Sequence, residues 1–340
     1  MFGLGWLRAL TDARGLLEHA HHGVPRLGEG YTTDDNARAL LYLSLLPEGA
    51  RDEGLVRTYL AFLLHMQKED GRFRNGLTLD GRFEDEGEAE DPTGRAVLAL
   101  AAAQRLPPPY AGPAREALLR ALPALEGFTS LRGRAYALLG LLALPKEPFL
   151  EAAEALGEGL LRAFREAEPA WPYPGPLTYA NHRPVEALYA YGLAFRRQEA
   201  VALARRALAF LKEHYFPPGE EGLFWDPAGT RFMARGRDKP LFDQQPIEAK
   251  CALLAHLRFG ERVLAEVAFL WFHGRNRLRA PLVDAFGPMD GLTPHGPNQN
   301  RGAEALLAYL LAWQALVQGV FPQVDEGVAL GRVFALGGRP

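Results

Sequence analysis

The chain has 340 residues, 48% hydrophobic and 23% charged, with a formal net charge of −3. A chain of this size hides roughly three quarters of the surface its unfolded form exposes, and this composition excludes intrinsic disorder. The balanced charge and lack of a basic stripe speak against nucleic acid, and a single cysteine, Cys251, excludes an internal disulfide and a cysteine-based zinc site.

The segment Met1 to Arg8 lacks the charged start and long apolar run of a signal peptide. No stretch reaches the ~18 uninterrupted apolar residues of a membrane span. The expectation is a cytoplasmic protein with no membrane partner. Only five of the 38 basic residues are lysine, which suggests a GC-rich bacterial genome. Scarce Cys and Met and prolines in the loops are compatible with a thermophile.

Helix signals run the length of the chain. An opening amphipathic helix is expected near 5–20, and others at 52–66, 114–125, 149–166, 198–213 and 260–272, where apolar residues recur every three or four positions. Between them lie six stretches, roughly 35–46, 92–105, 133–144, 184–196, 246–257 and 301–317, that are apolar nearly all round. A helix with no polar face is buried on every side. Alternating exposed and buried helices stack as hairpins over a common core. Six hairpins predict an all-α fold, an (α/α)6 barrel, with one domain over 1–320 and a tail over 321–340. Long Gly-, Pro- and aromatic-rich loops precede the buried helices, and small β-hairpins are expected within Gly71–Phe83 and Leu223–Phe232.

Each buried helix opens on a variant of one polar phrase: Thr33-Asp34-Asp35-Asn36-Ala37-Arg38-Ala39, Glu90-Asp91-Pro92-Thr93-Gly94-Arg95-Ala96, Leu131-Arg132-Gly133-Arg134-Ala135, Asn181-His182-Arg183-Pro184-Val185-Glu186-Ala187, Asp243-Gln244-Gln245-Pro246-Ile247-Glu248-Ala249 and Asn298-Gln299-Asn300-Arg301-Gly302-Ala303-Glu304-Ala305. Parallel helices would bring these polar ends to one face. Each acid alone is an ordinary helix start: Asp91 before Pro92 suits an N-cap, and Glu186 and Glu248 sit where a capping-box glutamate belongs. Their number at one end of one barrel suggests more. Glycoside hydrolysis needs two carboxyl groups flanking a sugar, about 6.5–9.5 Å apart in inverting enzymes. In a six-repeat ring Asp91 and Asp243 make one facing pair and Asp35 with Glu186 another. Repeat 3 offers only Arg132 and Arg134.

The phrase arginines Arg38, Arg95, Arg134, Arg183 and Arg301 are expected to pair with phrase carboxylates, or else to hold an anionic sugar or phosphate. Tyr31, Trp171, Tyr179 and Trp225 could stack on a sugar ring or anchor their loops. His182 lies at the rim as an acid–base candidate. His19, His21 and His22 lack the spacing of a helical metal pair, and Arg38 stands where a magnesium-binding Asp-rich motif would need an acid, so no metal or cofactor is expected.

The segments Gly30–Ala39, Asp70–Asn75, Phe242–Ala249 and Asn298–Glu304 resemble a bacterial group of six-hairpin, glycosidase-like proteins. Members of this group occur beside glycosyltransferases or mannoside-processing enzymes. The resemblance implies the six-hairpin fold, carbohydrate metabolism and a functional association with a glycosyltransferase. The site residues themselves are read from position. The expectation is an inverting glycoside hydrolase acting on an oligosaccharide, such as a mannose-containing one. Asp91 and Asp243 would be the acid and base, with Asp34 and Asp35 binding sugar hydroxyls or forming the alternative pair. Tyr31, Arg38, Arg95, Trp171, Tyr179, His182, Arg183, Glu186, Trp225, Gln244, Glu248, Asn300 and Glu304 would surround the substrate. The rival readings are a phosphorylase, a sugar epimerase or isomerase using His182, and a non-catalytic carbohydrate-binding partner of a glycosyltransferase.

Overall fold

The computed structural model describes residues 3–84, 90–144 and 146–320. The expected tail, 321–340, lies outside the described residues. Among the described residues, twelve α-helices follow one another as outer–inner pairs: α1 (Leu4–Ala9) and α2 (Thr33–Leu45), α3 (Glu53–Met66) and α4 (Glu90–Ala102), α5 (Pro108–Leu125) and α6 (Leu131–Leu141), α7 (Phe149–Arg165) and α8 (His182–Ala194), α9 (Gln198–Tyr215) and α10 (Pro246–Arg258), α11 (Arg262–Leu270) and α12 (Ala303–Gln318). The inner helices touch in the cyclic order α2, α4, α6, α8, α10, α12 and back to α2, which closes the (α/α)6 barrel. No helix among the described residues is long and apolar enough to cross a membrane.

The division of labour follows the side chains. Every residue of α4 from Pro92 to Ala102 is buried, whereas α5 buries Tyr110, Ala114, Ala117, Leu118, Ala121 and Leu125, one stripe at helical spacing. Small residues let α4 and α6 pack closest. A Cβ on Gly94 would sit 2.4 Å from the Gly133 carbonyl oxygen, and one on Gly140 would sit 2.8 Å from Leu98 Cα.

Two expected elements differ. The opening helix ends at Ala9 rather than near 20. The Asp12 carboxylate receives the amides of Arg14 (2.8 Å) and Gly15 (3.2 Å), and this local turn competes with helix. The expected Leu223–Phe232 hairpin forms earlier, as β6 (Pro218–Gly219) paired with β7 (Gly222–Leu223), because Gly222 supplies the positive φ of the turn. The other strands are equally short: β1 (Ala20–His21) with β2 (Val24–Pro25), β3 (Tyr31–Thr32) with β4 (Gly76–Leu77) and β5 (Phe83–Glu84), β8 (Val283–Asp284) with β9 (Gly287–Pro288), and β10 (Leu292–Thr293) with β11 (Gly296–Pro297). They lie mostly in the loops that enter the inner helices.

Candidate functional site

The inner helices begin at one end of the barrel, and their first turns carry the phrases. Thr32 caps α2, its side chain accepting the Asp35 amide at 3.3 Å. This turn points Asp34, Asp35 and Arg38 at the opening of the ring. Arg38 binds Asp35, donates to Glu304 at 2.9 Å and lies 3.9 Å from Asp34. Arg95, from the next inner helix, brings Nε within 3.2 Å of the other Asp34 oxygen. The phrase arginines of repeats 1, 2, 4 and 6 thus pair with carboxylates, Arg183 taking Glu186 at 2.6 Å and Arg301 taking Asp284.

Beside this network lies a polar cavity of about 270 Å³. Its wall contains Asp34, Asp35, Arg38 and Glu304 from the phrases, joined by Glu18, His19, Asn75 and Asp290. Those last four were not foreseen as site residues. Asn75 ends the quoted Asp70–Asn75 segment; Glu18, His19 and Asp290 stand outside every phrase. Their placement is a backbone matter: the Glu18 carbonyl accepts the Ala303 amide at 2.9 Å, and the Asp290 carboxylate accepts the Gly302 amide at 2.5 Å. Both residues therefore fasten the start of α12 and are carried to the mouth of the ring by doing so.

Five carboxyl groups in one cavity do not all ionise readily. Burial first, and then the nearby Asp35 charge, push Glu18 up to about 7. Burial also raises Asp35, against the pull of Arg38, and raises Asp290 against its backbone hydrogen bond. Asp34 is ion-paired to two arginines. The cavity thus pairs a carboxyl whose hold on its proton burial has strengthened with a carboxylate bound between two arginines, and a histidine stands beside them: His19 Nε2 is 3.5 Å from Glu18.

The remaining foreseen residues lie elsewhere. Asp91 accepts the hydroxyls of Ser130 (2.6 Å) and Tyr179 (2.5 Å) and lies 3.4 Å from Arg132, so its oxygens are committed to protein. Glu90 beside it accepts the amides of Thr129 and Ser130. Repeat 2 therefore supplies the carboxylates that repeat 3 lacks, and the non-uniform ring is a shared cap. Asp243 is exposed, on a left-handed backbone (φ 59°), away from the cavity wall.

Glu248 reaches sideways from α10 to the Ala180 amide at the start of α8, and burial pushes it up to about 7. Glu186 is buried between Arg183 and Arg258 (3.0 Å), so it offers no oxygen to a partner facing Asp35. His182 and Trp225 are both 0% exposed. Their rings lie 5.4 Å apart, with Tyr215 and His256 packed against His182, whose pKa burial drives well below its usual value. A neutral imidazole sealed in this aromatic core has no face for a sugar. Gln244 is buried and joins Asp226 to the Trp271 indole. Tyr31 is buried, donating to Asp12 at 2.5 Å. Tyr179 lies flat under the Arg132 guanidinium, 4.1 Å from ring centre to Cζ. Trp171 lines a separate outer groove of about 630 Å³, and Asn300 meets exposed His21 at 3.0 Å.

This architecture defines the chain's class: a six-hairpin α-barrel with a carboxylate-lined cavity at the inner-helix N-termini. No protein-family model and no curated protein matches the sequence. Solved structures do match the fold. A sugar epimerase from a ruminal bacterium superposes with a TM-score of 0.66 at 12% identity, over 94% of this chain and 96% of its own. Cellobiose 2-epimerase from Bacillus thermoamylovorans B4167 gives 0.66 at 9%, over 91% and 95%. A GH76 α-mannanase from Bacteroides thetaiotaomicron gives 0.59 at 10%, over 98% and 95%. At these identities the likeness concerns the fold.

Proposed function

We propose that the protein is a carbohydrate-active enzyme, an inverting glycoside hydrolase whose acid–base pair lies in the carboxylate cavity. The observation that carries this reading is the meeting there of Glu18, pushed up to about 7 by burial, with Asp34, paired to two arginines. Glu18 would protonate the departing glycosidic oxygen. Asp34 would take a proton from the attacking water, and Asp290 and Glu304 would accept sugar hydroxyls. This moves the reacting pair from Asp91 and Asp243 to the first repeat, since Asp91 is spent on hydroxyls and Asp243 faces solvent. Proteins sharing the fold are described as an α-mannanase, a cellulase and a D-mannose isomerase, so manno- and gluco-oligosaccharides are the first substrates to assay.

A second reading is favoured by His19 beside Glu18 and by the epimerases among the fold relatives. A histidine and a carboxyl sharing one cavity could withdraw and return a proton on a sugar carbon. His19 would then take the role foreseen for His182.

The test is incubation with manno-, gluco- and galacto-oligosaccharides and with free monosaccharides, with and without phosphate, followed by NMR of the products. Inverted hydrolysis products, lost in Glu18→Gln, support the hydrolase. Epimerised free sugars replace it with the second reading. Phosphate-dependent cleavage indicates a phosphorylase, and saturable binding without turnover indicates a carbohydrate-binding partner.

A further inference from the structure

Below the carboxylate cavity, a second, smaller cavity of about 30 Å³ runs along the barrel axis. Arg38 lines both. The polar part of the lower wall consists of Arg38, Arg95, Arg183, Lys250 and Tyr136; the rest is Ala37, leucines and Val320. We propose that this axial cavity binds a small inorganic anion, held by the Lys250 ammonium together with Arg38, Arg95, Arg183 and the Tyr136 hydroxyl. The proposal goes beyond the hydrolase reading and does not depend on it.

Two counts carry it. The first is charge. Among the described residues, the lower wall has four basic side chains and no carboxylate. Carboxylates do neighbour three of them: Asp35 and Glu304 serve Arg38, Asp34 serves Arg95, and Glu186 serves Arg183. Lys250 is 2% exposed, and among the described residues no acceptor lies within hydrogen-bond or ion-pair reach of its ammonium. An unpaired buried charge is among the costliest features a fold can keep. Burial, with the like charges of Arg183, Arg38 and Arg95, pushes this amine down to about 7, although Cys251 pulls the other way. An anion in the cavity would return the lysine to its charged form.

The second count is of donors and acceptors. The Nε atoms of Arg38 and Arg183, Nη1 of Arg95 and the Tyr136 hydroxyl are buried without a hydrogen-bond partner among the described residues, while Arg95 Nε is taken by Asp34 at 3.2 Å. Apart from the tyrosine oxygen, the side chains at this site only donate. Water could accept from them, but its own protons would then face leucine. An anion presents acceptors alone. The space suits one compact ion, being roughly that of two waters.

Bromide and phosphate are the probes. Crystals of the full chain soaked in bromide should show an anomalous peak between Lys250 and the guanidiniums. In solution, replacing gluconate by chloride, bromide or phosphate at constant ionic strength should raise Tm by about 2 °C or more, and the most effective ion identifies the class. Lys250→Met keeps the volume and removes the charge. Its Tm in gluconate should equal or exceed that of the parent, and it should lose both the peak and the anion-dependent shift. Should that variant fail to fold, Tyr136→Phe, which deletes one donor, should weaken anion binding several-fold. Absence of a bromide peak with a Tm indifferent to the anion means that only water fills the cavity and overturns the proposal. A shift that survives Lys250→Met places the ion elsewhere and overturns it equally.

Discussion

Repeats 1 and 4 stand opposite each other in the inner ring and are built alike, yet one opens to solvent and the other is sealed. Each carries an arginine and an acid three residues apart, Arg38 with Asp35 and Arg183 with Glu186. In repeat 1 the network continues outward to Asp34 and Glu304, whose side chains are 23% and 39% exposed. In repeat 4 it ends at Arg258 inside the protein, and Trp225 packs against His182 above it. The loops make the difference. Between α9 and α10, Asp226 is fully buried and receives Lys239 (2.8 Å), Arg277 (2.6 Å) and Gln244 (2.8 Å), which pins that loop down. On the opposite side, the Glu18–His19 segment and Asp290 fasten α12 and leave a cavity among α2, α10 and α12. A recurring polar phrase thus builds the frame, and what lies over its polar end decides whether chemistry is available there.

The comparison breaks most sharply at Glu18. Glu18→Gln should cut kcat by about 10²–10⁴-fold, the range for losing a general acid, with little change in KM. On the proposed hydrolase reading, the parent's activity should fall as pH rises through about 7, because that is where Glu18 would lose its proton. The glutamine variant should lack this limb. A parent profile flat through that region would remove Glu18 from the mechanism.

Next in size comes the sealed side. Asp226→Ala leaves Lys239 and Arg277 without their shared carboxylate, and breaking such a buried pair costs about 3–5 kcal/mol. Urea unfolding near neutral pH would measure this, and indole fluorescence would report whether Trp225 becomes wet. A loss below 1 kcal/mol would mean that the loop is held by other contacts.

Smaller again is Asp91→Asn. An amide can keep one hydroxyl partner and loses the charge that draws Arg132, so stability should drop by about 1–2 kcal/mol while kcat stays within a few-fold. A collapse of kcat without loss of stability would return the reacting pair to repeat 2.

The frame was legible because burial writes itself into sequence twice, as period and as the absence of a polar face. The run Ala96 to Ala103 could only be an inner helix, and it is buried whole, Ala96 to Ala102 in α4 and Ala103 in the turn that follows. The first outer helix misled because its apolar spacing continues past Asp12, where a side chain takes over backbone amides that helix would need. Within the site, Asp34, Asp35, Arg38 and Glu304 were readable, since a helix start fixes where its first turn points. Glu18 and Asp290 were not, because they reach the cavity through backbone hydrogen bonds to α12, a long-range pairing with no local pattern. Trp225 and His182 show the converse. An aromatic ring in a glycine-rich loop reads the same whether it faces a ligand or plugs the core.

Asp243 is the least consequential site and the finest probe of the contrast. It precedes α10 by three residues, whereas Asp34 and Asp91 lie within the first turns of α2 and α4, and its backbone is left-handed and its side chain exposed. The neighbouring Gln244 is drawn inward to Asp226 and Trp271, and this turns Asp243 outward. Asp243→Asn should therefore change stability by no more than about 0.5 kcal/mol, since asparagine tolerates the left-handed region and surface substitutions of this kind are nearly neutral. Asp243→Gly should do no harm and should raise stability slightly if the positive φ is a cost to the parent. Turnover should match the parent in both variants. A tenfold loss of kcat in Asp243→Asn, with Tm unchanged, would show that the loop swings inward when substrate binds and that repeat 5 completes the site after all.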